Sequence, residues 1–240
     1  LDSALGGAVN MDKISRDPDT GRPTHDWYGD EIQYTEIRGD GTGIIYVKGI
    51  IVRDFPSLAP RWGFCDMDRV AEDVEMMEAH PEVVRVAFIA DSPGGMAQGN
   101  AELYDKIAAM KKPTMGFCEG LSASASYYQM SALDLLLGTR SSEWGSVGTY
   151  AVVTTIDGFL EDLGVDVELV RSGRFKGIGI HKMDDEEREF FQSNIDDFGN
   201  QFRADVRKQR TEIEPENLQG QWFMAEEAAK LGFIHGVVKG

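Results

Sequence analysis

Hydrophobic and polar residues follow one another along the chain in blocks that predict strands alternating with helices. Three short apolar runs rich in β-branched residues have the pattern of buried strands: "GIIYVKGIIV" (43–52), "VVRVAFIAD" (83–91) and "PTMGFCEG" (113–120). Helical patterns follow the first two runs, and in the first of these helices Val70, Val74 and Met77 recur at helical spacing. Strands that alternate with helices predict βαβ units and a mostly parallel sheet.

The second half of the chain continues this alternation. "LDLLLGT" (133–139) predicts a strand, "AVVTTIDGFLEDLG" (151–164) a strand and a helix, and "VDVELVRSG" (165–173) a further strand. The longest helix is predicted over 184–210, and "QGQWFMAEEAAKLGFIHGVV" (219–238) predicts a short helix and a final strand. An apolar stripe marks the long helix, and we expect it to pack on its own domain or on another subunit; the stripe consists of Phe191, Ile195, Phe198, Phe202 and Val206.

Residues 1–42 differ from the rest because they are polar and show no sustained period. We therefore expect a polar N-terminal arm or leader over 1–42 and one folded domain over 43–240. The chain begins with Leu1, so residues or an anchor upstream of it stay an open possibility. No apolar run approaches the roughly 18–20 residues of a membrane span.

The charge of the chain excludes several classes of partner. With 41 acidic and 24 basic residues, its net charge of −17 argues against binding to nucleic acid or to an anionic membrane. Cys65 and Cys118 lie in apolar surroundings without metal-ligand spacing, so we expect free thiols and neither a metal nor a cofactor.

Two short stretches suggest an acyl-transfer site. "DSPGG" follows a predicted strand, and Gly94 and Gly95 allow the backbone N–H groups there to face a developing oxyanion. In "GLSASAS", Ser122, Ser124 and Ser126 alternate at the start of a predicted helix. Ser122 does not fit the nucleophile elbow G-x-S-x-G, because a serine stands in place of the second glycine. The residues alone leave the choice of nucleophile among these serines open.

A serine nucleophile needs a general base, and the candidates are histidines and one lysine. None of the four histidines has a distinctive partner pattern. Lys176 in "SGRFKGIG" differs, because it follows a predicted apolar strand and neighbours Phe175 and Ile178. A lysine acts as a base only in its uncharged form, which an apolar pocket favours, so we expect Lys176 to be buried.

Five motifs in order resemble the signal peptide peptidase A family of serine–lysine proteases. They are "FIADSPGG", "SASASYYQ", "GSVGT", "VRSGRFKGIG" and "WFMAEEAAKLGFIHGVV", and the resemblance runs from about Gly43 to the end. The family has the Clp-protease/crotonase fold, which implies an α/β architecture of repeated βαβ units with a mostly parallel sheet and flanking helices. The layout is most similar to phage head-maturation (prohead) proteases, which carry a D-x-PGGM turn.

The resemblance implies a role for each residue that matches a family motif. The alignment of the A-S-G-G-Y motif implies that Ser124 is the nucleophile, although Ala125 and Ser126 replace its glycines. The S-G-x-x-K motif implies that Lys176 is the base, and G-S-[IV]-G implies that Ser146 orients it. The family's oxyanion hole falls on the backbone N–H groups of Gly95 and Ala125; Gly94, Val147 and Gly148 are the substrate-binding residues that it implies.

The function implied is serine endopeptidase activity on phage scaffold, capsid or portal proteins. Such a protein would act as a homo-oligomeric ring or dome in the host cytoplasm or prohead interior. Alternatives are a peptidase for signal-peptide remnants, in the cytoplasm or held at a membrane by a missing N-terminal segment, a non-proteolytic acyl-CoA enzyme of the crotonase fold, and a catalytically silent assembly protein.

Overall fold

Most of the chain folds around one sheet. A computed structural model describes residues 15–26, 28–54 and 59–238. The strands in these ranges are β1 (Thr35–Ile37), β2 (Thr42–Lys48), β3 (Ile50–Val52), β4 (Phe64–Asp66), β5 (Arg85–Ser92), β6 (Thr114–Ala123), β7 (Leu135–Thr139), β8 (Glu143–Gly145), β9 (Trp222–Met224) and β10 (Gly236–Val238). The helices are α1 (Met67–Ala79), α2 (Asn100–Ala108), α3 (Ala125–Met130), α4 (Asp157–Asp162), α5 (Asp185–Gln209) and α6 (Ala225–Lys230).

The main sheet has the order β1-β2-β5-β6-β7-β10 and is parallel from β2 to β10. Beside the C-terminal end of β6, β8 pairs in parallel and then pairs antiparallel with β9. Helices α1, α2, α3 and α5 bury apolar side chains in one core cluster with the sheet, and Val70, Val74 and Met77 of α1 are in it as their spacing predicts. The predicted α/β fold with a mostly parallel sheet and flanking helices is confirmed.

Gly49 divides the first predicted strand, so the expectation of one strand over 43–52 is wrong. Its φ is +88°, and a Cβ there would lie only 1.8 Å from the carbonyl oxygen of Gly63. The chain therefore turns between β2 and β3, and β3 leaves the main sheet to pair in parallel with β4. This turn brings Ile51 to the glycines that follow β5.

Part of the predicted leader packs on the domain. Strand β1 lies within residues 1–42 and pairs antiparallel with β2 at the edge of the main sheet. Arg22 donates hydrogen bonds to Asp73 (2.7 Å) and Glu72 (2.9 Å) of α1. Residues 1–14 lie outside the described ranges, and the division at residue 42 stays a prediction.

Two predicted strands do not form. In residues 151–156 and 165–173 the structure has no strand, although both stretches are rich in valine. A β-branched composition favours a strand only where a neighbouring strand offers hydrogen bonds, and in the described chain neither stretch pairs with one. Large apolar side chains here are exposed instead: Tyr150, Val152, Ile156, Phe159, Leu163, Val165, Val167 and Val170.

Among the described residues, no helix is long and apolar enough to cross a bilayer. In the same ranges, no group of three or more His, Cys, Asp or Glu side chains is placed to hold a metal ion.

Candidate active site

The three alternating serines have different environments. Ser122 and Ser126 are fully buried, and their Oγ atoms lie 3.1 Å apart, within hydrogen-bond distance. Ser124 lies between them at the end of β6 and lines two cavities of the described chain. Because a nucleophile must reach its substrate, Ser124 is the one of the three that the structure leaves available.

The backbone of Ser124 is strained. As the N-cap of α3 it has φ +52° and ψ −124°, outside the conformations that a side chain ordinarily allows. Such residues cost about 1–3 kcal/mol and persist where their surroundings hold them. Two hydrogen bonds hold this one: its N–H donates to the carbonyl of Gly145 (2.9 Å), and its carbonyl accepts from the N–H of Tyr128 (2.8 Å). The β6–α3 junction is thus a tight turn with Ser124 at its corner.

The glycine turn after β5 lies against this corner. Gly94 has φ +94°, and a Cβ there would lie 2.7 Å from Ser124 Cβ and 2.8 Å from the nitrogen of Ala125. A Cβ on Gly95 would lie 1.9 Å from the carbonyl oxygen of Ile51. Both positions need glycine because backbone from β3 and from the β6–α3 junction comes too close for a side chain.

Gly95 borders both cavities together with Ser124, and Ala125 follows Ser124 directly in the chain. The neighbouring backbone bonds run from the Ile51 N–H to the Gly94 carbonyl (2.8 Å) and from the Met96 N–H to the Ile51 carbonyl (2.9 Å). Within the described chain, neither the N–H of Gly95 nor that of Ala125 donates to a backbone carbonyl in these turns. Two uncommitted N–H groups beside a serine hydroxyl are the donors that an oxyanion requires.

The two cavities at Ser124 share part of their walls and differ in the rest. The first has a volume of about 690 Å³, and its wall includes the predicted site residues Gly94, Gly95, Ser124, Ser146, Val147 and Gly148. The second, of about 980 Å³, also borders Ala125 and has an apolar wall that includes Ile51, Val52, Met96, Phe191, Phe198 and Phe202. Except for Lys176, every predicted site residue therefore borders one of the cavities that meet at Ser124.

Ser146 is a second strained serine. Its φ is +55°, it follows Gly145 at φ +122°, and its N–H donates to the carbonyl of Gln221 (2.6 Å). Strain at two serines that border one cavity is typical of functional sites. The sequence patterns did not predict it, because it depends on the pairing of β6, β8 and β9.

Lys176 lies apart from these residues. Its side chain is exposed and borders neither cavity, so the expectation of a buried lysine is wrong for the single chain. The segment that carries it folds against the first turn of α5, where Arg171 and Arg174 form ion pairs with Glu187. These ion pairs attach the segment to α5. None of the four histidines borders the cavities either.

Helix α5 contributes cavity residues that no motif in the sequence indicated. Gln192, Ile195, Asp196, Gly199 and Arg203 border the first cavity. Asp205 attaches α5 to α3, because its side chain accepts a hydrogen bond from the Tyr128 hydroxyl; within α5 it also pairs with Lys208. Burial first, and then the hydrogen bond to Asp205, raise the pKa of Tyr128, so its hydroxyl stays a donor. A stripe at helical spacing predicts a packed face, but it does not reveal which residues border a cavity.

Comparison with known proteins is consistent with this geometry. A model of peptidase family S49 matches residues 106–239, more than half of the chain. The chain belongs to peptidase family S49. This confirms the resemblance to signal peptide peptidase A that the five motifs indicated, and the matched S49 region contains Ser124, Ser146 and Lys176.

Similar proteins come from archaea and phages. A protein of Methanocaldococcus jannaschii whose name describes it as a protease is 29% identical over 168 residues, which cover 67% of this chain and 54% of that protein. Capsid assembly protease C of Escherichia phage lambda is 27% identical over 161 residues, covering 65% of this chain and 37% of the phage protein. The S49 chain thus spans little more than half of the first relative's length and less of the second's.

The fold has a counterpart among solved structures. A point mutant of ClpP1 from Listeria monocytogenes superposes with a TM-score of 0.54 at 12% identity, covering 82% of this chain and 91% of that one. At this identity the likeness concerns the fold alone, and it agrees with the Clp-protease-like architecture predicted for an S49 chain.

Proposed function

We propose that this S49 protein is a serine endopeptidase with Ser124 as its nucleophile. The observation that carries the proposal is the position of Ser124: a strained serine between two cavities, beside the uncommitted N–H groups of Gly95 and Ala125. Ser122 and Ser126 are unsuited to the role because they are fully buried.

In the proposed reaction, Ser124 Oγ attacks the carbonyl carbon of a peptide bond as Lys176 Nζ takes its proton. The N–H groups of Gly95 and Ala125 hold the resulting oxyanion. Lys176 then gives the proton to the leaving amine, an acyl-enzyme remains, and water attacks the acyl carbon by the same proton path. Ser146 orients the lysine amine. Extended substrate would pair with backbone near Gly95 and near residues 147–153.

The dyad needs Lys176 to approach Ser124, and we propose that this happens in an assembled homo-oligomer. Two facts support it: Lys176 is exposed in the single chain, and the preceding segment carries exposed apolar side chains such as Val152, Phe159 and Leu163. Contiguous exposed apolar surface is typical of an interface. The substrates we propose are phage scaffold, capsid or portal proteins, supported by the similarity to capsid assembly protease C of phage lambda.

A fluorophosphonate probe tests the dyad. We expect the native protein to be labelled, Ser124→Ala to stay unlabelled, and Lys176→Met to react slower by at least about 100-fold, within the range for a lost general base. Ser126→Ala is the matched control, because that serine is buried two positions away, and it should still be labelled. Equal labelling of native protein and Ser124→Ala would exclude Ser124 as the nucleophile.

A further inference from the structure

Several contacts attach the segment around Lys176 to the rest of the chain, and three of them meet at one buried carboxylate. Glu187, the third residue of α5, has a side chain with no solvent exposure. One of its oxygens, Oε1, accepts hydrogen bonds from Arg171 (2.5 Å) and Arg174 (2.8 Å). The other, Oε2, lies 3.1 Å from Nε2 of His181. These three partners lie on both sides of Lys176 in the chain, so the carboxylate brackets the lysine.

Glu187 is itself held in place by the start of its helix. Its Oε2 accepts from the backbone N–H of Asp184 (3.2 Å), and its own N–H donates to Oδ1 of Asp184 (2.9 Å), which is a complete capping box. The side chain therefore has a single orientation before any contact from the segment is counted. The D-x-x-E spacing of this capping box can be recognised in the sequence, but the contacts of Glu187 with Arg171, Arg174 and His181 cannot.

Further contacts shape the segment and attach it to α5. Arg171 Nη1 lies 3.4 Å from the carbonyl oxygen of Lys176, and the ring of Phe175 stacks on Phe190 of α5 at 4.4 Å. The Lys176 N–H donates to the carbonyl of Gly173 (3.0 Å), which closes a turn at the lysine. Between α4 and α5 the structure has no other helix or strand, so these contacts define where the lysine backbone lies.

The Glu187 carboxylate is ionised near neutral pH. The hydrogen bond from Arg171 is the main cause that lowers the pKa of Glu187 from its ordinary 4.5 to about 2. Neutralising this buried carboxylate would weaken all of its hydrogen bonds together, because each donor is oriented toward the ionised form.

We propose that Glu187 is a positioning residue for the general base: it fixes the segment from Arg171 to His181 so that Lys176 is presented in one place. This rests on the proposed role of Lys176. Glu187 borders neither cavity at Ser124, so it acts through the lysine and leaves substrate contacts alone. Glutamine at this position keeps the size of the side chain and removes the charge that attracts both arginines.

The test compares Glu187→Gln in two backgrounds, native and Lys176→Met. In the native background we expect kcat for a peptide substrate to fall by about 10- to 100-fold, the range for a misplaced catalytic group, with KM unchanged. In the Lys176→Met background the residual rate of fluorophosphonate labelling should not change further, since there is no lysine left to position. Glu189→Gln is the matched control: it neutralises an exposed carboxylate two positions further along α5 that forms no ion pair with the segment, and it should leave kcat as it is.

Arg171→Gln provides a second variant if Glu187→Gln fails to fold. It removes the ion pair between Arg171 and Glu187 and keeps the capping box. It should show the same pattern. A native kcat in both variants, or an equal loss in both backgrounds, overturns the proposal. If Lys176→Met itself keeps native activity, the proposed function is what fails, and the two failures are thereby distinguished.

Discussion

Gly94 and Ser124 approach each other so closely that no side-chain carbon fits between them: a Cβ on Gly94 would lie 2.7 Å from Ser124 Cβ. The turn after β5 and the turn after β6 are therefore packed backbone against backbone. This contact sets the position of the proposed nucleophile relative to the N–H groups of Gly95 and Ala125.

The first prediction concerns Gly94. Gly94→Ala should lower kcat/KM by about 100-fold or more, because the methyl group must displace the Ser124 corner by a sizeable part of an ångström. The added strain at φ +94° should also lower the melting temperature. Gly39→Ala is the control, since a Cβ there meets no atom within 4 Å, and peptide cleavage by both variants is the measurement. Native kcat/KM in Gly94→Ala would contradict the packing argument.

The second prediction separates stability from chemistry among the serines. Ser122→Ala removes the hydrogen-bond partner of the buried Ser126 hydroxyl, and an unsatisfied buried group costs about 1–3 kcal/mol. We expect the free energy of unfolding in urea to fall by that amount, while the folded variant keeps its probe labelling. Ser124→Ala should do the opposite, losing labelling without losing stability. Loss of labelling in the folded Ser122→Ala protein would count against the assignment.

The third prediction concerns where the lysine acts. Ser124→Ala and Lys176→Met should each be inactive alone, and a mixed assembly of the two should recover activity, because Lys176 borders neither of the two cavities that meet at Ser124 of its own chain. Random equal mixing allows up to about one quarter of native activity, since half of the nucleophiles and half of the lysines are intact. The readout is peptide cleavage after the subunits have been exchanged. Mixed assemblies that form and stay inactive would show that the lysine enters its own subunit's site.

The fourth prediction concerns pH and His235. Its Nδ1 accepts from the N–H of Leu136 (2.8 Å). Burial, and then the nearby Arg210 guanidinium, lower the pKa of His235 below its ordinary 6.5, against smaller opposing effects of the Leu136 backbone and then of Glu212. Because the unfolded chain takes up the proton more readily, stability contributed by the neutral ring is complete above pH 6.5 and is lost as pH falls below it.

Urea unfolding between neutral pH and about pH 5 measures this effect. We expect the free energy of unfolding to fall more steeply in the native protein than in His235→Gln, whose amide oxygen can accept the same hydrogen bond without titrating. Parallel pH profiles of the two proteins would show that His235 does not contribute.

Much of the fold could be predicted from the sequence because its signals are local. The apolar runs of β5 and β6 predict buried strands. The spacing of Val70, Val74 and Met77 predicts an amphipathic helix. The stretch 165–173 shows the limit: its valines predict a strand, but a strand exists only if another strand pairs with it, and in the described chain none does.

By itself the sequence determined the order of βαβ units, the family to which the chain belongs, and the residue types available for an acyl-transfer site. Only the tertiary structure decided which of three serines is accessible, that Ser124 and Ser146 are strained, and that Glu187 brackets the Lys176 segment. The physical reason is distance along the chain. Helical and strand periods arise between near neighbours, whereas exposure, close backbone approach and a shared buried charge arise between segments that folding alone brings together.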